Sequence, residues 1–234
     1  MRHRVEVWTC GLEGAAELAG RYLPLLSADE VERAARYKGP GLRDAFILGR
    51  GVTRTILARR LGGDPREISF SYSTYGKPSL PADRGVHFNV SHSHALLICG
   101  LTGAAPLGVD VERVRPMPDA ANLAARFFSA AEAERIRSAS PESVAPLFFD
   151  IWTRKEAFLK ATGAGFSRSL GSFTVSSDPA ELPRFERIAE PADDPAQWSL
   201  RSFVPAESYV GALALRAPVE EVTLHRFDPF ASAG

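Results

Sequence analysis

Apolar and polar residues alternate along "HRVEVW" at 3–8, a period of two that predicts a first strand. In "SADEVERAARY" the spacing changes: Ser27 is followed three residues later by Glu30, the pattern of a capping box, and a helix should start there. "RDAFILGRGVTRTILARRLGG" extends that helical character and closes on paired glycines suited to a C-terminal cap. "ISFSYST" reads as a strand, "YGKPSLPADRG" as a turn-rich loop, and "VHFNVSHS" with "ALLICGLTG" as paired strands around a polar bend.

The order then repeats. "LGVDVERV" is a strand, "SAAEAERIRSAS" a helix, and "PLFFDIWTRKEAFLKATG" a longer helix ending at Gly163. "SFTVSS", "WSLRSFV", "SYVGALAL" and "EVTLHRF" supply further strands, and "AEPADDPAQ" at 189–197 reads as an exposed loop. At a constant offset of 102, Ser27/Ser129, Glu30/Glu132, Arg33/Arg135, Phe46/Phe148 and Leu57/Leu159 are identical. One register through two helices in each half indicates a duplication, and so an α+β pseudo-dimer: a first half at 1–105, a second at 106–234, and a cleft between them suited to a ligand.

Composition narrows the function without naming it. The 234 residues are long enough to bury a core without staples, and 28 basic against 28 acidic side chains leave no global field for nucleic acid or an anionic membrane. Cys10 and Cys99 stand far apart with no zinc spacing. "MRHRVEVW" lacks the apolar run of a signal peptide and nothing approaches a membrane span, so the expected compartment is the reducing cytoplasm.

Four segments could carry chemistry. In "GVDVE", Asp110 and Glu112 share one strand face; they form either a solvated acidic face or a site for a hard cation, which takes oxygen ligands. Glu156 and Lys160 are neighbours on one helix face, either as a surface ion pair or as a third carboxylate and a phosphate-directed cation. By themselves Trp152 reads as core and Lys155 as solvated. Ser91 and His92 lie where a strand meets a bend, with no carboxylate at hydrolase-triad spacing, and "YGKP" alone is a turn with an exposed Lys77.

Taken in order, "YGKP", "FNVSHS", "GVDVE" and "WTRKEAFLK" resemble the Sfp-type 4′-phosphopantetheinyl transferases, with the resemblance running from "LSADEVERAARY" to "SFTVSS". Trp152 and Lys155-Glu156-Ala157 are similar to the subgroup that serves polyketide and nonribosomal peptide synthases. The resemblance implies a monomeric pseudo-dimer of the holo-acyl-carrier-protein synthase type. Such an enzyme transfers phosphopantetheine from coenzyme A to a serine of an apo acyl or peptidyl carrier protein and releases adenosine 3′,5′-bisphosphate.

By the same resemblance, Asp110, Glu112 and Glu156 bind Mg²⁺, with Mn²⁺ as the alternative. Glu156, directly or through a metal-bound water, takes the serine proton, and Lys160 meets the phosphates. Arg43, Lys77, Ser91 and His92 hold coenzyme A, His92 near the 3′-phosphate. Arg33 stands where the family often has lysine. "YKGPGLRDAF" is shortened relative to the family, and "RPMPDAANLAARFF" at 115–128 is the expected contact with the carrier helix. Two other readings fit parts of the pattern. A Mg²⁺-dependent pyrophosphatase would use the same carboxylates with water, and a non-catalytic coenzyme A-binding module would need a broken metal set, which is not what the sequence carries.

Overall fold

The computed structural model describes residues 3–163, 165–178, 181–189 and 193–231. The first strand, β1 (His3–Gly11), is followed by α1 (Ala15–Tyr22), α2 (Ala28–Ala35) and α3 (Pro40–Leu61). Two short strands, β2 (Ser71–Tyr72) and β3 (Pro78–Ser79), lead into the pair β4 (His87–Ser93) and β5 (Leu96–Thr102). The second half runs β6 (Leu107–Arg113), α4 (Ala120–Phe127), α5 (Ala130–Arg137), α6 (Pro141–Thr162), β7 (Phe173–Val175), β8 (Phe185–Ile188), β9 (Ser199–Phe203) and β10 (Tyr209–Leu215), and β11 (Val219–Arg226) ends the fold. The architecture is α+β, with the same element order in both halves. No helix of the described residues is long and apolar enough to cross a membrane.

The capping box expected at Ser27/Glu30 forms, and Ser129/Glu132 makes a second. The Ser27 and Ser129 amides donate to Glu30 and Glu132 at 3.0 and 2.9 Å, satisfying N–H groups that a helix start leaves open. The two long helices each begin on a proline and end on a left-handed glycine, Gly62 at φ 73° and Gly163 at φ 69°. These pairs, and Arg54 with Lys155, stand one residue closer than the 102 that separates the capping boxes. The single ungapped register therefore holds for α2 and α5 but slips by one before the long helices, and Phe46/Phe148 and Leu57/Leu159 do not occupy equivalent places.

The slip is fixed by buried charge. Arg54 donates to Glu30 at 2.7 Å and to the carbonyls of Pro65 and Ile68. In the second half Lys155 meets Glu132 at 2.8 Å and the carbonyls of Leu170 and Phe173. Lys155 is 0% exposed, so it is not the solvated lysine its isolated context suggests. Each cation ties the capping glutamate of one helix to the chain that follows the next.

The sheets order as β11-β1-β5-β4 and β6-β10-β9. β11 pairs with β1 in parallel, so this strand of the expected second half completes the first half's sheet. The swap buries Val5 and Val7 of β1 with Val109, Val111, Leu213 and Val219 in a shared apolar layer between the sheets, while each half keeps its own core. Further differences from the sequence pattern are local. "ISFSYST" yields only the two residues of β2, α1 and α4 are short helices that the periodicity did not mark, and β8 was not foreseen. Of the loop at 189–197, residues 190–192 lie outside the described residues, and Pro195–Gln197 form one 3₁₀ turn.

Candidate active site

Strand β6 is two-faced by its period. Val109 and Val111 enter the shared layer between the sheets, and Gly108, Asp110 and Glu112 face α6. Gly108 is there for space, since a Cβ at this position would lie 2.0 Å from the Ala157 carbonyl oxygen. The helix can therefore press its Glu156–Lys160 turn against the strand.

Asp110 is buried, at 4% exposure, which excludes the solvated acidic face. Its Oδ1 accepts from Ser91 Oγ at 2.8 Å and from Lys160 Nζ at 2.7 Å, and Lys160 Nζ also donates to Ser91 at 2.9 Å. Its Oδ2 is buried without a hydrogen-bond partner. Glu112 Oε2 accepts from Ser93 Oγ at 2.7 Å. Lys160 is therefore paired with Asp110 of the adjacent strand, and not with Glu156 as a surface ion pair would have it.

Glu156 is half-buried, and its carboxyl is pushed up from the ordinary range, first by burial and then by the charge of Asp110; Glu112 adds to the rise and Lys160 opposes it. Both strand carboxylates thus act on Glu156. Among the described residues no three His, Cys, Asp or Glu side chains close into a ready metal cage. In the present arrangement Lys160 and the serines occupy one oxygen each of Asp110 and Glu112. An all-oxygen donor set with one orphaned buried oxygen and a mutually repelling third carboxylate nevertheless fits a hard divalent cation.

Strand β4 explains why "FNVSHS" alternates as it does. Asn89, Ser91 and Ser93 face β6 and stitch the two sheets: Asn89 Oδ1 accepts from the Val109 amide at 2.8 Å, and the two serines take the two carboxylates. Val90, His92 and His94 face the other way into a cavity of about 460 Å³. Arg33, Phe46 and Arg50 also line it, with both guanidiniums over the Phe46 ring at 5.4 and 5.8 Å from its centroid. A pocket of cations and aromatic faces suits a phosphorylated aromatic ligand.

Of the residues expected to hold the nucleotide, His92 lines this cavity. Ser91 lies on the opposite strand face, against Asp110 and Lys160. Arg43 is exposed on the first turn of α3, next to Leu42, which lines the mouth. Gly76 and Pro78 reach the lining, and the Lys77 ammonium between them donates to the carbonyls of Leu107 and Lys160. Sequence reading missed Arg50, Phe46 and His94 in the lining and Asn89 in the seam. Arg50, a cation inside an apolar helix one turn from both Phe46 and Arg54, was the available signal.

The second half has a counterpart cavity of about 670 Å³, where Arg135, Leu147, Asp150 and Arg154 answer to Arg33, Phe46, Gly49 and Thr53. There the places of Gly49 and Thr53 are taken by the Asp150–Arg154 ion pair at 2.5 Å. The two halves are thus alike in frame and different in pocket.

A family model described as the 4′-phosphopantetheinyl transferase superfamily matches residues 106–214. The chain is 37% identical over 214 residues to the 4′-phosphopantetheinyl transferase HetI of Nostoc sp. strain PCC 7120, covering 90% of this chain and 87% of that protein. It is 32% identical over 155 residues to the 4′-phosphopantetheinyl transferase Sfp of Bacillus subtilis strain 168, covering 66% of this chain and 68% of that protein.

Proposed function

The chain belongs to the 4′-phosphopantetheinyl transferase superfamily, and from that premise we propose that it transfers the 4′-phosphopantetheine arm of coenzyme A to a serine of an apo acyl or peptidyl carrier protein. The acceptors in this reading are carrier domains of polyketide or nonribosomal peptide synthases, and the enzyme works as a single chain. The observation that carries the reading is the Lys160 ammonium, held by Asp110 and Ser91 at the seam where the cationic pocket of one half meets the carboxylates of the other.

His92, with Arg33 and Arg50, would hold the nucleotide end, and Arg43 would close over the mouth from the first turn of α3. Asp110, Glu112 and Glu156 would hold Mg²⁺, or Mn²⁺ in its place. When bound, that ion offsets the pyrophosphate charge next to the breaking bond. Lys160 adds a fixed positive charge where the leaving phosphate develops negative charge. In this reading Glu156, half-buried one helical turn from Lys160, is the carboxylate that removes the serine proton.

The test is incubation with coenzyme A, MgCl₂ and a panel of apo carrier proteins, read by intact mass. The expected result is a carrier heavier by one phosphopantetheine arm and an equivalent of adenosine 3′,5′-bisphosphate. Cleavage of coenzyme A at the same rate without any carrier would replace the proposal by a pyrophosphatase, and tight coenzyme A binding without turnover would replace it by a binding module.

A further inference from the structure

We propose that Lys77 is a positioning residue that clasps the two halves together and sets the aim of Lys160, a role that rests on the transferase reading and extends it. Its ammonium donates to the Leu107 carbonyl at 3.1 Å and to the Lys160 carbonyl at 2.5 Å, so a loop of the first half grips the first residue of β6 and the last turn of α6 at once. The carbonyl it holds belongs to the residue whose side chain meets Asp110 and Ser91.

The loop is built to hold that grip. The Gly76 amide donates to the Ser73 carbonyl at 2.8 Å, the Ser73 amide to the Lys77 carbonyl at 3.0 Å, and the Lys77 amide to Ser73 Oγ at 3.1 Å, with Gly76 turning the chain at φ 76°. Next to it the Tyr75 ring lies so close to Gly165 that a Cβ there would stand 2.9 Å from Cγ. Two side chains of one tight turn therefore bear on α6 and the turn that follows it. Carbonyls at the end of a helix lack intrahelical partners, and an ammonium with three donors on a long stem can serve one of them and the strand together. Through this clasp a small displacement of the loop becomes a displacement of Lys160.

The experiment compares wild type, Lys77→Met, Lys77→Arg, Lys160→Ala and the double variant Lys77→Met/Lys160→Ala, measuring kcat, KM for coenzyme A, calorimetric coenzyme A affinity and amide hydrogen exchange. Lys77→Met should lower kcat by ~10–100-fold, as misplacement of a catalytic group does, while coenzyme A affinity changes less than about twofold. In the Lys160→Ala background the same substitution should cost little more, the non-additivity of residues that act through one another. Lys77→Arg, which can still reach both carbonyls, should recover part of the rate. Exchange at residues 107–108 and 159–162 should quicken in Lys77→Met and be restored in Lys77→Arg.

A tenfold loss of coenzyme A affinity with kcat intact would overturn the clasp and make Lys77 a nucleotide contact. A loss that adds fully to that of Lys160→Ala would make it a general prop of the fold. If wild-type protein transfers nothing, the transferase reading fails separately, and the exchange rates still decide whether the clasp exists.

Discussion

Lys160 Nζ lies 2.7 Å from Asp110 Oδ1, a contact that joins the last turns of α6 to the middle of β6. The aspartate side chain is 6% exposed and that of the lysine 29%, so the pair is neither a solvated surface bridge nor a fully desolvated one. Lys160→Ala should lower turnover at saturating coenzyme A by ~10²–10³, the scale of losing a preorganised electrostatic donor. Coenzyme A affinity should fall less, because the interaction strengthens toward the transition state. The melt should also move, by about 1–2 kcal/mol of stability, since Asp110 keeps only Ser91 as partner. Lys160→Arg should restore part of the rate, its flat guanidinium being a poor copy of a compact ammonium. An active Lys160→Ala protein would leave the carboxylates alone to carry the reaction.

The carboxylate set makes a prediction that needs no substrate. Asp110 raises the Glu156 carboxyl, after burial, which is the larger cause. Asp110→Asn keeps the Ser91 contact and removes the charge, so the Glu156 titration followed by NMR should move down part of the way toward the ordinary range. The sign for stability follows. A glutamate whose folded pKa is raised binds more protons in the folded than in the unfolded chain, so its contribution falls as pH rises through the ordinary to the raised value, and less so in Asp110→Asn. Chelation of divalent ions should abolish transfer by wild type, and Mg²⁺ should restore it. A Glu156 titration unmoved by Asp110→Asn would show that the two groups do not share a site.

How much of this was legible in the sequence depends on the range of the signal. The capping box at Ser27/Glu30 was readable because its partners lie within four residues, and it forms, as does the same pattern at Ser129/Glu132. Same-face placement of Asp110 and Glu112 follows from the strand period and holds. The burial of Lys155 was not legible, because its partners Glu132, Leu170 and Phe173 come from other elements. Nor was the one-residue slip between the halves, since shared helix formers matched by composition at the wrong register. The place of β11 depends on sheet topology alone, and a strand of "VEEVTLHR" reads the same on either sheet. The nucleotide pocket was half legible: "FNVSHS" marked His92, while the face pointing at β6 could be assigned only once β4 and β6 were adjacent.

His92 lines the cationic cavity with Arg33, Arg50 and His94. If it meets the 3′-phosphate, His92→Ala should raise KM for coenzyme A by ~10-fold or more, the scale of a hydrogen bond to a charged group, and raise that for 3′-dephospho-coenzyme A far less. Turnover at saturation should change little, because the contact is the same in ground and transition states. Equal effects on both substrates would place His92 elsewhere on the nucleotide.

Gly108 has no room for a side chain. A Cβ would stand 2.0 Å from the Ala157 carbonyl oxygen and 2.4 Å from the Ala161 nitrogen, backbone atoms that cannot turn aside. Gly108→Ala must push α6 off β6, and Glu156 and Lys160 move with it. Overpacking of this kind costs ~1–3 kcal/mol or more, and the expected variant melts lower and transfers at less than a hundredth of the wild-type rate. Gly20→Ala, at a helical position with nothing within 4 Å, should leave both unchanged. A normally active Gly108→Ala protein would mean that the helix and strand are farther apart than the contact implies.

Lys155 and Arg54 pose the same question in the two halves: a buried cation beside a capping glutamate, with two backbone carbonyls as its other partners. Lys155 is surrounded so closely that burial lowers its pKa to about 8 in spite of Glu132. Lys155→Met fills the space but strands Glu132 as an unpaired buried charge, so the expected loss is about 3–5 kcal/mol by chemical denaturation, the range for breaking a buried pair from one side. Arg54→Met should cost less, because Glu30 keeps the Arg50 guanidinium at 3.4 Å. Lys155→Met/Glu132→Gln should recover part of the loss, because it removes the stranded charge and the glutamine oxygen can still accept from one of the Ser129 and Val175 amides, which Glu132 now serves with its two separate oxygens at 2.9 and 2.8 Å. Arg137→Ala, which removes an exposed helical pair with Glu134, should stay within about 0.5 kcal/mol. Turnover per folded molecule separates structure from chemistry. Although Lys155 is the sequence neighbour of Glu156, its side chain points into the core, so the double variant should transfer at near the wild-type rate once folded; a rate that stayed low in fully folded protein would give Lys155 a part in the reaction.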